Sequence, residues 1–109
     1  MKKYGQKLEE SMDYKVEIFP IAKQDLLDIA AYLSQFYEST FAKFIESFER
    51  QIGHLAQMPY MGTVHRNFRR LIVSDYLVFY VVNEETRTVE VRSIIHGTRN
   101  ISAHLNVSE

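Results

Sequence analysis

Between Leu55 and Phe68 the spacing of apolar side chains changes from the period of a helix to the period of a strand. Upstream, Ala22, Leu26, Ile29, Ala30, Leu33 and Phe36 recur at three- and four-residue intervals, with Lys23, Asp25 and Asp28 off the stripe. Asp25 and Asp28 read as part of a solvated helix face. A second stripe follows in Phe41, Phe44, Ile45, Phe48, Ile52 and Leu55, with Ser39 or Thr40 placed to cap it. Pro59 lacks an amide proton and Gly62 relaxes the turn, so the second helix stops before them. Downstream, residues 68–73, 76–82 and 88–95 alternate and are rich in Val, Ile, Tyr and Phe, which predicts a three-stranded meander. Ahead of the helices, residues 14–19 also alternate, and Pro20 suits a first helical turn. The expected fold is α+β in the order β-α-α-β-β-β, with a helical hairpin on one face of an antiparallel sheet.

Turn lengths set the expected register. A two-residue loop at Ser74-Asp75 places Val73 opposite Tyr76, and a four-residue loop from Glu84 to Arg87 places Asn83 opposite Thr88. One face then collects Leu71, Val73, Tyr76, Val78, Tyr80, Val82, Val89, Val91, Ser93 and Ile95, and belongs under the helices. The opposite face holds Phe68, Arg70, Ile72, Leu77, Phe79, Val81, Glu90, Arg92, Ile94 and His96. Exposed apolar patches mark partner surfaces, so Phe68, Ile72, Leu77 and Phe79 are the candidate partner-binding residues. Arg70, Arg92 and His96, with Arg99 just beyond, could instead converge on an anion. The plainer alternative pairs Arg92 with Glu90 or Glu85 and leaves Arg70 solvated.

The chain's 109 residues suit one domain, with 46% hydrophobic and 25% charged residues, as in ordinary globular domains. The expected divisions are a flexible tail over residues 1–13, a domain over 14–105 and a short tail over 106–109, with Met12 as an alternative start. The absence of cysteine excludes disulfides, thiol catalysis and Cys-ligated zinc. No apolar run reaches the roughly 18 residues of a membrane span, and no secretory h-region follows the first lysines. A cytoplasmic setting without a membrane partner is expected. Thirteen basic and 14 acidic residues leave a net charge of -1, too little for bulk attraction to nucleic acid. Residues 65–109 nevertheless carry six arginines, so any anion belongs to that half. The histidines lack metal-ligand spacing, and no nucleotide-binding or hydrolase motif is present, so no cofactor or metal is expected.

Four segments, in order, resemble the RelE/ParE superfamily of bacterial type II toxins: Phe19-Pro20 through Asp25-Leu26 to Tyr32-Leu33; Pro59-Tyr60-Met61-Gly62; Phe68-Arg69-Arg70-Leu71 to Tyr76-Leu77-Val78-Phe79-Tyr80; and Ile95-His96-Gly97-Thr98-Arg99-Asn100. The resemblance spans Tyr14 to about Leu105. It implies a growth-arresting toxin neutralised by a cognate antitoxin. RelE-like members cut mRNA on the ribosome with a cluster of cations, whereas ParE-like members poison DNA gyrase. Where the RelE-like branch is basic, this chain has Phe68, Arg70, Ile72 and Leu77, of which one is cationic. No Tyr follows Arg99, and the closing segment is nearer the ParE-like side. Gyrase binding is therefore expected. The first alternative is a metal-independent, ribosome-dependent mRNA endonuclease using Arg70, Arg92, His96 and Arg99, with His96 as general acid or base. The second is an inactive antitoxin-binding domain. Homodimers or toxin–antitoxin hetero-oligomers are both open.

Overall fold

The computed structural model describes residues 13–97. The expected tail over residues 1–13, save Asp13, the alternative start at Met12, and everything from Thr98 on, Arg99 included, lie outside the described residues. Seven elements run in chain order: β1 (Lys15–Ile18), α1 (Pro20–Leu33), α2 (Glu38–Leu55), β2 (Thr63–His65), β3 (Phe68–Val73), β4 (Tyr76–Asn83) and β5 (Thr88–His96). The strands form one sheet in the order β1-β5-β4-β3-β2. β1 runs parallel to β5, and the remaining pairs are antiparallel.

α1 starts where expected, with Pro20 inside its first turn and Phe19 extended before it. α2 starts earlier than expected. Its N-cap is Tyr37, which makes no side-chain cap, and Ser39 and Thr40 lie inside the first turn. The extended backbone at Tyr37 lets its carbonyl accept the Thr40 amide at 2.9 Å, which closes that turn without a capping hydroxyl. β2 is an addition that the sequence reading did not contain. It pairs with β3 across the two-residue Arg66-Asn67 loop.

The helices pack on one face of the sheet. Ala22 and Ile29 from α1, and Phe44, Phe48 and Leu55 from α2, share a buried cluster with Leu71, Val73, Tyr76, Val78, Tyr80, Val89, Val91 and Ile94. Phe44 stands at its centre, 5.1 Å edge-on from the Tyr76 ring and 6.0 Å from the Phe48 ring.

The expected register holds along β3–β4 and along β4–β5 from Asn83 opposite Thr88 to Tyr80 opposite Val91. There it shifts. Phe79 pairs with Ser93 and not Arg92, Val78 with Ile94, Leu77 with Ile95 and Tyr76 with His96. Arg92 is the extra residue of a β-bulge, and one extra residue inverts the alternation beyond it. Ile94 thus joins the helix-covered core, against expectation, while Ile95 pairs with Leu77 outside that cluster.

Asp25 explains where the bulge is pinned. β1 ends opposite Val91, so the next stretch of β5 has no strand on that side. The Asp25 carboxylate fills the gap, accepting the Ile94 amide at 2.8 Å and the Ser93 hydroxyl at 3.2 Å. Asp25 is therefore buried and structural, not part of the solvated helix face that its spacing suggests.

Candidate partner-docking face

The sheet face away from the helices divides into two halves. On the β1–β5 side it carries Lys15, Glu17, Glu90 and Arg92, and on the β4–β3–β2 side Phe79, Leu77, Phe68, Ile72 and His65 surround Arg70. Strand alternation and the pairing of His65 with Phe68 and of Thr63 with Arg70 bring these side chains to one side.

Three of the four expected partner-binding residues stand open on this face. Ile72 is 67% exposed, and Phe68 and Leu77 are half-buried. Phe79 is not exposed. It is fully buried because β2, absent from the sequence reading, brings the His65 ring to 5.6 Å from it, while Phe68 packs edge-on at 6.3 Å. Phe79 is the floor of the patch and His65 part of its wall.

Of the four expected cationic residues, Arg99 lies outside the described residues, and the other three, Arg70, Arg92 and His96, are not brought together. Arg70 on β3 and Arg92 on β5 are separated by β4, about 10 Å at ordinary strand spacing. Arg92 is turned to other partners: its guanidinium lies 3.5 Å from Glu90 and 4.9 Å from the centre of the Phe19 ring. The bulge carries His96 off the face altogether. It pairs with Tyr76, and the two rings meet edge-on at 5.4 Å on the helix-covered side. Arg70 keeps its expected place and, among the described residues, makes no hydrogen bond, ion pair or ring contact.

A polar cluster that sequence reasoning missed ties the domain together at the other end of the sheet. The Glu84 carboxylate, in the β4–β5 turn, accepts the Tyr14 hydroxyl at 2.8 Å and also the Tyr60 hydroxyl. Those hydrogen bonds, Tyr60's foremost, hold the Glu84 carboxyl below its ordinary value of 4.5. Bonding to Glu84 pushes the Tyr60 phenol up to about 12 and raises that of Tyr14. Arg87 covers the Tyr14 ring at 4.2 Å, and Arg69 covers the Tyr60 ring at 5.0 Å. Arg69 also donates to the Tyr60 and Gly62 carbonyls, at 3.0 and 2.8 Å. Gly62 sits so close to the Tyr80 hydroxyl, to which its amide donates at 2.8 Å, that a Cβ would meet that oxygen at 2.6 Å. This explains the glycine after Pro59. Among the described residues no three His, Cys, Asp or Glu side chains could share a metal ion, and no helix is long and apolar enough to cross a membrane.

The family described as "ParE toxin of type II toxin-antitoxin system, parDE" matches residues 16–101. The chain belongs to the ParE toxin family. No curated protein sequence matches it significantly. Among solved structures, it is similar to one described as the chromosomal ParDE toxin–antitoxin system from P. aeruginosa, with a TM-score of 0.65 at 14% identity over 78% of this chain and 97% of that one. It is also similar to the isolated E. coli RelE toxin, with a TM-score of 0.56 at 14% identity over 86% and 95% of the two chains. A third is the RelBE2 toxin–antitoxin complex from Mycobacterium tuberculosis, with a TM-score of 0.53 at 20% identity over 77% and 98%. The shared fold, two helices against a five-stranded mixed sheet, is that of ParE and RelE toxins alike.

Proposed function

We propose that this ParE-family toxin arrests growth by binding DNA gyrase and that a cognate antitoxin neutralises it by covering the open sheet face. The observation that carries the binding reading is the state of the cations on that face. In-line cleavage of RNA places charge on a phosphorane-like transition state, and several preorganised cations must meet it. Among the described residues Arg70 stands alone amid apolar side chains, Arg92 is held by Glu90 and Phe19, and His96 faces the helix side. A face of aromatic and aliphatic side chains around one arginine suits a protein partner better than a scissile phosphate. The antitoxin partner is supported by family membership and by the ParDE and RelBE descriptions of the similar structures.

Two assays with purified toxin test the target. Inhibition of gyrase supercoiling without mRNA cleavage in a translating-ribosome assay is the expected result. Codon-phased cuts that vanish in Arg70→Ala would overturn it and make the chain a ribosome-dependent nuclease. If neither assay responds while the antitoxin binds tightly, the chain is an inactive antitoxin-binding domain.

A further inference from the structure

Of the three arginines in the strands, two are engaged and one is not. Arg69 holds the Tyr60 and Gly62 carbonyls, and Arg92 holds Glu90. Arg70 is half-buried between Thr63 and Phe79 on the neighbouring strands, with Phe68 and Ile72 beside it on its own, and no anion among the described residues meets it. A guanidinium partly withdrawn from water and left unpaired is unfavourable unless a partner completes it. Arginines ringed by apolar contacts that exclude water are the usual anchors of protein interfaces.

We propose that Arg70 is the receptor for a carboxylate on the antitoxin, carried by a segment whose flanking side chains are apolar and settle over Phe68, Ile72 and Leu77. This rests on the reading of the open face as the antitoxin's seat. Charge complementarity selects the occupant and its orientation. The guanidinium fork takes a carboxylate bidentately. On the β1–β5 half Lys15 and Arg92 balance Glu17 and Glu90, so that half offers an acidic segment no net attraction and leaves Arg70 on the β3–β2 half as its seat. A second copy of this chain fits less well. Glu17 and Glu90 are the carboxylates that the described strands offer on this face, both lie in its other half, and Glu90 already holds Arg92 and Asn83. An RNA strand fits less well too, because docking a run of phosphates takes several free cations and, among the described strand residues, this half offers one free arginine.

The test is calorimetric titration of the full-length toxin with the purified product of the adjoining antitoxin reading frame. Ile72→Asp reports on the face and Arg70→Gln on the carboxylate, after thermal melting has shown both variants folded. Each should weaken binding by about 10²-fold, with Arg70→Lys between wild type and Arg70→Gln because a point charge keeps attraction and loses the fork. One Asp or Glu of the antitoxin, changed to Ala, should weaken binding to wild type and have no further effect against Arg70→Gln. If Ile72→Asp weakens binding and Arg70→Gln does not, the face stands and the carboxylate receptor is overturned. If neither variant matters, or the adjoining product does not bind, the antitoxin reading of the face falls and the proposal falls with it. Arg70→Gln that leaves antitoxin affinity intact but abolishes mRNA cleavage would assign the arginine to a phosphate instead.

Discussion

Glu84 links three distant parts of the chain, receiving Tyr14 from the start of β1 and Tyr60 from the loop after α2 into the β4–β5 turn. Its carboxyl is held below the ordinary 4.5, so the unfolded chain binds the proton more readily. The stabilisation is fully present above pH 4.5 and is lost as pH falls through the lowered folded value. Tyr60 works in the opposite sense, since its phenol is raised from 10.0 to about 12. That contribution is present below pH 10 and fades as pH rises towards about 12. Glu84→Gln should therefore flatten the acid limb of the stability profile, and Tyr60→Phe should flatten the alkaline limb between 10 and 12. Urea melts of the three proteins across pH would read both effects, and parallel profiles would mean that the cluster is too solvated to matter. None of this was legible in the sequence, because nothing about residues 14, 60 and 84 marks them as neighbours until the sheet order does.

At the scale of elements, most of the architecture was legible and each miss has a local cause. Helical stripes and strand alternation placed both helices, the meander and the face bearing Val78, Tyr80, Val89 and Val91. The bulge at Arg92 escaped because Ile94 and Ile95 are both apolar, so the inversion of faces leaves no polar marker behind. For the same reason simple alternation puts His96 on the open face, where the bulge does not leave it. β2 escaped because three residues, Thr63–His65, are too short to show a period, and its absence made Phe79 look exposed. Phe68, Ile72 and Leu77 share one face as expected because the β3–β4 pairing that sets it carries no shift. If Asp25 pins the bulge, Asp25→Ala should cost about 1–3 kcal/mol by leaving the Ile94 amide without its acceptor. Asp25→Asn keeps an oxygen in place and should cost less. Denaturant titration with amide exchange at Ile94 would check this, and unchanged protection at Ile94 would show that the bulge holds itself.

On the proposed reading, stability and recognition occupy opposite faces of one sheet. One buried cluster joins both helices to β3, β4 and β5, so the described domain should unfold as a single unit. Phe48 lies inside it at 4% exposure and stacks on Phe44. Phe48→Ala removes a large ring from between helix and sheet, at a cost of about 3–5 kcal/mol. Against a typical total of about 5–15 kcal/mol, that is a large fraction of all the stability a domain of this size has. Ile72 is the counterpart on the open face. At 67% exposure it has little apolar area left to lose on truncation, so Ile72→Ala should stay within about 0.5 kcal/mol of wild type. The two variants should therefore separate. Phe48→Ala lowers the denaturation midpoint steeply, and whatever remains folded still binds antitoxin with wild-type affinity. Ile72→Ala melts like wild type and binds antitoxin more weakly. Denaturant melts followed by both aromatic fluorescence and far-ultraviolet dichroism, run beside antitoxin titrations, would measure both quantities. Noncoincident transitions in Phe48→Ala would refute the single core. A loss of stability in Ile72→Ala equal to that of Phe48→Ala would mean that the open face is part of the core and not a surface kept for a partner.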